Sequence, residues 1–229
     1  MLNYIKPSIL RLYCFLYNFV SAIYRDIIGI YHVVNVESKI RKIIKREEVL
    51  SDFFLKLVRK HPNKPCIKFK EETWTYQDIE EYSNQIANIF VNKFKLKKGD
   101  CVALLLENKP EYIATWIGLS KIGVISALIN TNLMNQPLLH SIKIAQPKAV
   151  IYSSSLQESI NTVADELDDI QVIADDFEKG SMKPSKAFNL KDLLAKTSKI
   201  MTFPIVKCIP SDPIMYVYTS GTTGLPKVF

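Results

Sequence analysis

The stretch of this chain richest in groups that could do chemistry is "YVYTSGTTGLPK", residues 216–227. Only seven glycines occur in 229 residues, and Gly221 and Gly224 are two of them, set among Thr219, Ser220, Thr222, Thr223 and Lys227. Glycine admits positive φ and lets backbone come close to a ligand. Successive N–H groups in such a turn form a concave anion site. The hydroxyls add neutral donors and the lysine a mobile point charge, so the combination suits a phosphate chain. As an isolated string, a Gly/Thr/Lys run also reads as a solvated surface turn.

Two familiar phosphate signatures are absent. The NTPase loop sets glycine directly before the lysine and Ser/Thr directly after it; the dinucleotide fingerprint is G-x-G-x-x-G. Here Leu225 and Pro226 separate Gly224 from Lys227, and Val228 follows. What positions the loop is the element before it. Ile214–Tyr218 ("IMYVY") is aromatic and apolar and predicts a buried strand. A strand running into such a loop places it at the carboxyl edge of an open α/β sheet, where nucleotides are held.

Working back from that strand, short apolar runs alternate with helical periods. Residues 48–60 predict a helix with Val49, Phe53 and Leu57 on its apolar stripe. "CIKF" and "WTY" flank polar "KEET" as a hairpin. Tyr76–Phe94 repeats Ile79, Tyr82, Ile86 and Ile89/Phe90 with helical period. Cys101–Leu106 predicts a buried strand. The next helix opens at Pro110 with Asn108 near the N-cap, and Gly123 caps it. Val124–Ile129 is the following strand, Gln136–Ala145 a helix and Ala149–Tyr152 a strand. Ser155–Glu158 is a capping box opening another helix, and Gln171–Ala174 is a strand. Residues 175–186 read as loop, and Pro204, Pro210 and Pro213 punctuate the approach to Ile214. The order predicts an α/β fold built on a parallel, doubly wound sheet.

Composition narrows the function classes. Net charge is +7, yet residues 1–46 carry eight Lys/Arg against Asp26 and Glu37, so nearly all of the excess lies there. The body is close to neutral, which excludes a nucleic-acid-binding role. Cys14, Cys66, Cys101 and Cys208 are widely spaced, without C-x-x-C; Cys66 and Cys101 read as reduced, buried thiols and no disulfide framework is expected. No metal site is expected, since His32 and His61 lie far from any acid cluster. His140, in apolar "LLHSI", reads as a packing residue rather than a base. Tyr112 and Trp116 read as helix-to-sheet packing, with an acyl-pocket role as the alternative. Glu107 and Glu111 flank a helix start, where acids complement the dipole.

At the N-terminus, Leu12–Tyr24 is an apolar run of thirteen, shorter than the roughly 20 residues a span needs. It resumes after Arg25 and Asp26 through Val36, is rich in tyrosine and is followed by "KIRKIIKR" (Lys39–Arg46). Three readings compete: a span or embedded anchor, which length and flanking charge favour; an amphipathic helix on the membrane surface; and a cleaved signal peptide. The division predicted is 1–47, a membrane anchor with a basic juxtamembrane segment, and 48–229, the truncated N-terminal portion of a catalytic domain.

The string Tyr216–Lys227 resembles the signature loop of the adenylate-forming superfamily. "WTYQDIEEYSNQIANIF" (Trp74–Phe90), "LLENKPEYIATWIGLSKIGVISALINTNL" (Leu105–Leu133) and "LLHSI" (Leu138–Ile142) resemble one branch, the fatty acid transport proteins, which are also very-long-chain acyl-CoA synthetases. The likeness covers about residues 48–227, and "ALINTNL" is its most branch-specific part. The resemblance implies that Tyr216, Val217, Tyr218, Thr219, Ser220, Gly221, Thr222, Thr223, Gly224, Leu225, Pro226 and Lys227 bind ATP. It implies Mg²⁺ and coenzyme A, a long-chain fatty acid substrate, and the reaction of carboxylate and ATP to acyl-adenylate and pyrophosphate followed by thioester formation. It also implies a membrane location, endoplasmic reticulum or plasma membrane, with the body facing the cytosol, and leaves homo-oligomers open. In the family, the glutamate-bearing motif, ribose-binding aspartate and mobile lysine follow the loop; here only Val228 and Phe229 follow it. The catalytic residues are therefore expected downstream of Phe229, and the chain is expected to be a fragment, an incomplete gene model or a short isoform inactive on its own. The alternatives are a non-enzymatic, membrane-bound interaction module and a different adenylate-forming ligase.

Overall fold

The apolar runs of residues 101–174 pair as parallel strands in a computed structural model, which describes residues 7–167, 169–176, 187–219 and 227–228. The chain divides into two compact units, Met1–Glu48 and Val49–Phe229.

The first unit is one helix, α1, Pro7–Lys45, of 39 residues. Large apolar side chains such as Phe15, Phe19, Ile27, Tyr31 and Val34 stand exposed along it. Among the described residues no helix is long and apolar enough to cross a membrane. The expectation of a span is corrected: α1 has the length, but Asn18, Arg25, Asp26, His32 and Asn35 break its apolar run. Arg25 and Asp26 do pair, at 3.4 Å, but both side chains stay exposed.

The second unit opens with α2, Leu50–Lys60, whose buried positions are Ser51, Phe54 and Val58. The predicted stripe is corrected by one step around the helix: Phe53 is exposed, because Phe54 and Val58 are the residues that meet Ile79, Ala114 and Ile117. β1 (Pro65–Phe69) and β2 (Glu72–Thr75) form the antiparallel hairpin, turning through Lys70 at positive φ. Cys66 lies exposed on β1, not buried as expected, because it shares the outer face of the ribbon with Lys68 while Ile67 on the other face packs against the core.

α3 (Tyr76–Asn92) starts in a reciprocal cap. Thr75 Oγ1 accepts from the Asp78 amide and the Asp78 carboxylate accepts from the Thr75 amide and hydroxyl, which lowers the Asp78 pKa. β3 (Cys101–Leu105), α4 (Pro110–Lys121), β4 (Ile125–Leu128), α5 (Asn135–Ile144), β5 (Ala149–Tyr152), α6 (Gln157–Asn161), β6 (Gln171–Ala174), β7 (Phe188–Asn189), α7 (Leu190–Ala195) and β8 (Met215–Tyr216) follow. The six-stranded sheet has the order β7-β6-β5-β3-β4-β8, all neighbours parallel.

Because side chains alternate along a strand, Cys101, Ala103 and Leu105 face one layer with α5 and α6, while Val102, Leu104 and Leu106 face the other with α3, α4 and α7. The predicted doubly wound α/β fold is present. β7 and α7 were not expected. Pro110 is the first helical residue and Asn108 stands next to the N-cap, Lys109. One local prediction fails. Ser155–Glu158 forms no capping box: a single 3₁₀ turn, Ser154–Leu156, leads into α6 without a side-chain cap.

α3 and α4 cross closely. A Cβ on Gly118 would lie 2.6 Å from the Ser83 carbonyl oxygen and 2.8 Å from Ile86 Cβ, so only glycine fits without movement. Beside that crossing, Lys121 is fully buried and its Nζ donates to Glu80 Oε2 (2.8 Å), Ser83 Oγ (2.7 Å) and Asn84 Oδ1 (2.7 Å). All three ammonium donors are thus used; burial pulls the Lys121 pKa down and the Glu80 carboxylate opposes that.

Candidate functional site

The chain reaches the predicted loop through a long segment without regular structure, residues 196–214, and α3 holds its first part by a row of amides. Gln85 donates to the carbonyls of Leu194 (2.7 Å) and Thr197 (3.0 Å), and Asn84 to that of Lys199 (3.0 Å). Asn88 donates to Ser198 and Ile200 and accepts from the amide and hydroxyl of Thr202. Further on, Lys98 bonds Asp212 at 2.6 Å and the Lys207 carbonyl at 3.1 Å. Gly123, at φ +66°, packs under this segment, where a Cβ would approach Lys98 Cγ to 2.8 Å and Cys208 Sγ to 3.1 Å.

The segment delivers β8 to the edge of β4, with Met215 opposite Ser126 and Tyr216 opposite Ala127. The predicted single buried strand at 214–218 is corrected here. Val217 is exposed and leaves the ladder, and β9 (Tyr218–Thr219) pairs instead antiparallel with β10 (Lys227–Val228). In that register Lys227 lies opposite Thr219. Tyr216 and Tyr218 pack against the α5 side of the core, and the Tyr218 hydroxyl donates to the Ser141 carbonyl at 2.6 Å. Burial raises the Tyr218 pKa far above its ordinary value. Residues 220–226, which carry Ser220, Gly221, Thr222, Thr223, Gly224, Leu225 and Pro226, lie outside the described residues. Of the twelve predicted binding residues, the structure therefore places Tyr216, Val217, Tyr218, Thr219, Lys227: a strand end followed by a closed hairpin base, with Thr219 and Lys227 both exposed. Since β8 runs parallel to β4, this hairpin leaves the sheet from its carboxyl edge.

The same edge carries a second feature. From β3 the chain crosses to β4 on one side, and from β5 to β6 on the other, so the sheet's switch point lies between β3 and β5. A cavity of about 410 Å³ opens there, lined by residues just past β3 (Leu106, Glu107), β5 (Ser153, Ser154) and β6 (Asp175, Asp176) and by α3, α4 and α7. The backbone turns around it are tied: Glu107 N–H donates to Ser153 Oγ (3.0 Å), and Asp175 Oδ1 accepts from the amides of Ser154 and Asp176 (2.7 Å each). Lys109 bonds Glu107 at 3.1 Å, lowering the Glu107 pKa and raising its own. Lys191 bonds Asp176 at 2.7 Å. Glu111 and Thr115 from α4 also line it, and Glu111 Oε2 and Thr115 Oγ1 are buried without a hydrogen-bond partner. Tyr82 reaches in from α3. Burial first, then the Glu111 charge, pushes its phenol well up, and the neighbouring Thr115 hydroxyl acts the other way. The expectation that Tyr112 packs helix to sheet holds, though it also faces this cavity; Trp116 Nε1 is buried without a partner. His140 is half-buried on α5. Among the described residues no three His, Cys, Asp or Glu side chains are grouped to hold a metal ion.

Residues 54–228 match the profile of a family described as AMP-binding enzyme. Among curated proteins, the chain is 32% identical over 202 residues to human "Long-chain fatty acid transport protein 6", an alignment covering 85% of this chain and 32% of that one. It is 30% identical to mouse "Long-chain fatty acid transport protein 1", covering 89% and 32%. It is 25% identical to the "Very long-chain fatty acid transport protein" of Cochliobolus heterostrophus, covering 82% and 28%. The chain thus spans about a third of the length of the curated relatives it matches. Among solved structures, the anthranilate CoA ligase AuaEII in complex with anthranoyl-AMP superposes with TM-score 0.70 at 20% identity, covering 78% of this chain and 33% of that one. A benzoate CoA ligase from Burkholderia xenovorans LB400 gives 0.64 at 15% identity, covering 78% and 33%.

Proposed function

The chain belongs to the AMP-binding enzyme family, and from that premise we propose that it supplies the ATP-phosphate loop and first parallel sheet of a ligase that activates long-chain fatty acids to acyl-CoA in the course of their uptake. The observation that carries this reading is the hairpin base. β9 and β10 bring Lys227 opposite Thr219 at the carboxyl edge of a parallel sheet, so the two residues that bracket the glycine-, serine- and threonine-rich run lie side by side. Backbone N–H groups, hydroxyls and one ammonium are the donor set a polyphosphate requires. The loop's role is to hold the phosphates while a carboxylate attacks; Mg²⁺, when bound, offsets the charge that builds on them. The fatty acid transport proteins among the relatives support the long-chain acid as substrate; coenzyme A as acceptor is what the resemblance in sequence implies.

Membrane association belongs to this proposal in a reduced form. Exposed apolar side chains along α1, followed by Lys39, Arg41, Lys42, Lys45 and Arg46, suit a helix lying at an anionic membrane surface rather than crossing it. The endoplasmic reticulum or plasma membrane, with residues 49–229 on the cytosolic side, is the setting this implies, and self-association there is compatible with it.

The test is ATP binding by the chain, followed with a fluorescent ATP analogue, for the parent sequence, Lys227→Ala and the double variant Thr222→Ala/Thr223→Ala. If each substitution removes a bond to a charged phosphate worth about 1.5–3 kcal/mol, affinity falls about tenfold or more. Binding unchanged in both variants would refute the assignment.

A further inference from the structure

The switch-point cavity uses none of the groups assigned to ATP, and its chemistry is of opposite sign. Four carboxylates line it, Glu107, Glu111, Asp175 and Asp176, against two lysines. The lysines are engaged at the rim, Lys109 with Glu107 and Lys191 with Asp176. The excess negative charge disfavours a phosphorylated ligand. Deeper in, Thr115 is only 1% exposed and its hydroxyl has no hydrogen-bond partner, and the neighbouring Glu111 Oε2 is buried without one. A buried polar atom left unpaired is destabilising unless something in the cavity pairs it. A carboxylate oxygen accepts only, so what it lacks is a donor, and a cationic donor would also offset the charge. The rest of the wall is apolar or aromatic: Tyr82, Leu106, Tyr112, Leu190 and Leu194. The volume, about 410 Å³, is that of a small-molecule site.

We propose that this crevice, between the carboxyl ends of β3, β5 and β6, binds a small organic ammonium, its charged head on Glu111 and Thr115 and its apolar body against Tyr82, Tyr112 and Leu190. A bare metal ion fits less well, because the described acids do not converge as a ligand set. An ammonium on a flat or aliphatic body satisfies both the orphaned oxygens and the apolar wall. The site is separate from the ATP loop and stands or falls on its own.

Isothermal titration calorimetry of the full chain at pH 7 tests this with 2-phenylethylammonium as probe, beside the neutral 2-phenylethanol and the anionic phenylacetate. The expected result is saturable binding of the ammonium, binding of the alcohol weaker by about tenfold or more, and none of the acid. Glu111→Gln should weaken the ammonium by a similar factor, and Thr115→Val, which preserves shape, should weaken it less. The three-ligand comparison needs no variant, so it decides the matter even if Glu111→Gln does not fold. Three outcomes overturn the proposal: no saturable ammonium binding at millimolar concentration, alcohol and ammonium binding alike, or magnesium chloride displacing the probe as a competitor. An ATP titration of the same sample reads the loop, so failure at one site is distinguishable from failure at the other.

Discussion

Replacing Lys121 by methionine tests how the helical layer over the sheet is held. The substitution keeps the side-chain length and apolar stem and deletes the ammonium. Glu80 Oε2, Ser83 Oγ and Asn84 Oδ1, now within 2.8 Å of one donor, then lose it together. Breaking a buried ion pair from one side destabilises by about 3–5 kcal/mol, because the remaining charge stays uncompensated. The Glu80 side chain is 12% exposed and can regain some water, so the lower end, about 3 kcal/mol, is expected. Ser83 and Asn84 retain other bonds, to the Glu80 and Lys199 carbonyls, and add little beyond that. For a unit of this size about 3 kcal/mol corresponds to a fall in melting temperature of roughly 6–12 °C. Thermal unfolding of the full chain by circular dichroism at neutral pH measures it. The double variant Glu80→Leu/Lys121→Met, which removes both charges, should recover most of the loss, since an apolar pair of similar volume is often as stable as the buried ion pair it replaces. A single variant melting within about 2 °C of the parent, or a double variant worse than the single, would refute the reasoning.

Gly118→Ala should destabilise by about 1–3 kcal/mol in urea unfolding, because the clash with the Ser83 carbonyl oxygen and Ile86 outweighs alanine's better helix propensity. Stability should also fall at alkaline pH. Burial pushes both the Cys101 thiol and the Tyr152 phenol up to about 12, from 9.0 and 10.0. The unfolded chain therefore loses those protons first as pH rises from about 9 towards 12, and stability declines across that window. Tyr152→Phe should make the decline shallower between pH 10 and 11 in urea titrations, and an unaltered slope would count against a buried neutral phenol.

Most of the sheet was legible because its central strands are buried on both faces and write unbroken apolar runs, as in Cys101–Leu106 and Ala149–Tyr152. What failed was decided by long-range packing. Phe53 and Phe54 are equally apolar, and only the position of Ile79 and Ile117 makes Phe54 the buried one. β7 is two residues long and α7 six, too short to show a period. Tyr216 and Tyr218 look alike in sequence, yet one ends a parallel ladder and the other begins an antiparallel one. The loop proposed to hold ATP was visible as a string because its donors are contiguous. The crevice was not, because Glu107, Ser153 and Asp175 are scattered in sequence and meet only once the strand order is known. The signal was nonetheless present: each of the three stands within two residues of a strand's carboxyl end.

The amide row of α3 also has a consequence for the order of events on the ribosome. Asn84, Gln85 and Asn88 are synthesised more than a hundred residues before the carbonyls of 194–200 that they grip. The sheet from β3 to β6 can assemble around α3 and α4 while those amides still face water, which satisfies them at little loss. When the late segment emerges, it finds an already ordered template, and closing so long a loop adds only about 0.6 kcal/mol for each doubling of its length. β8 is thus made and seated after β3 to β6. Its placement is set by a helix finished long before that strand exists.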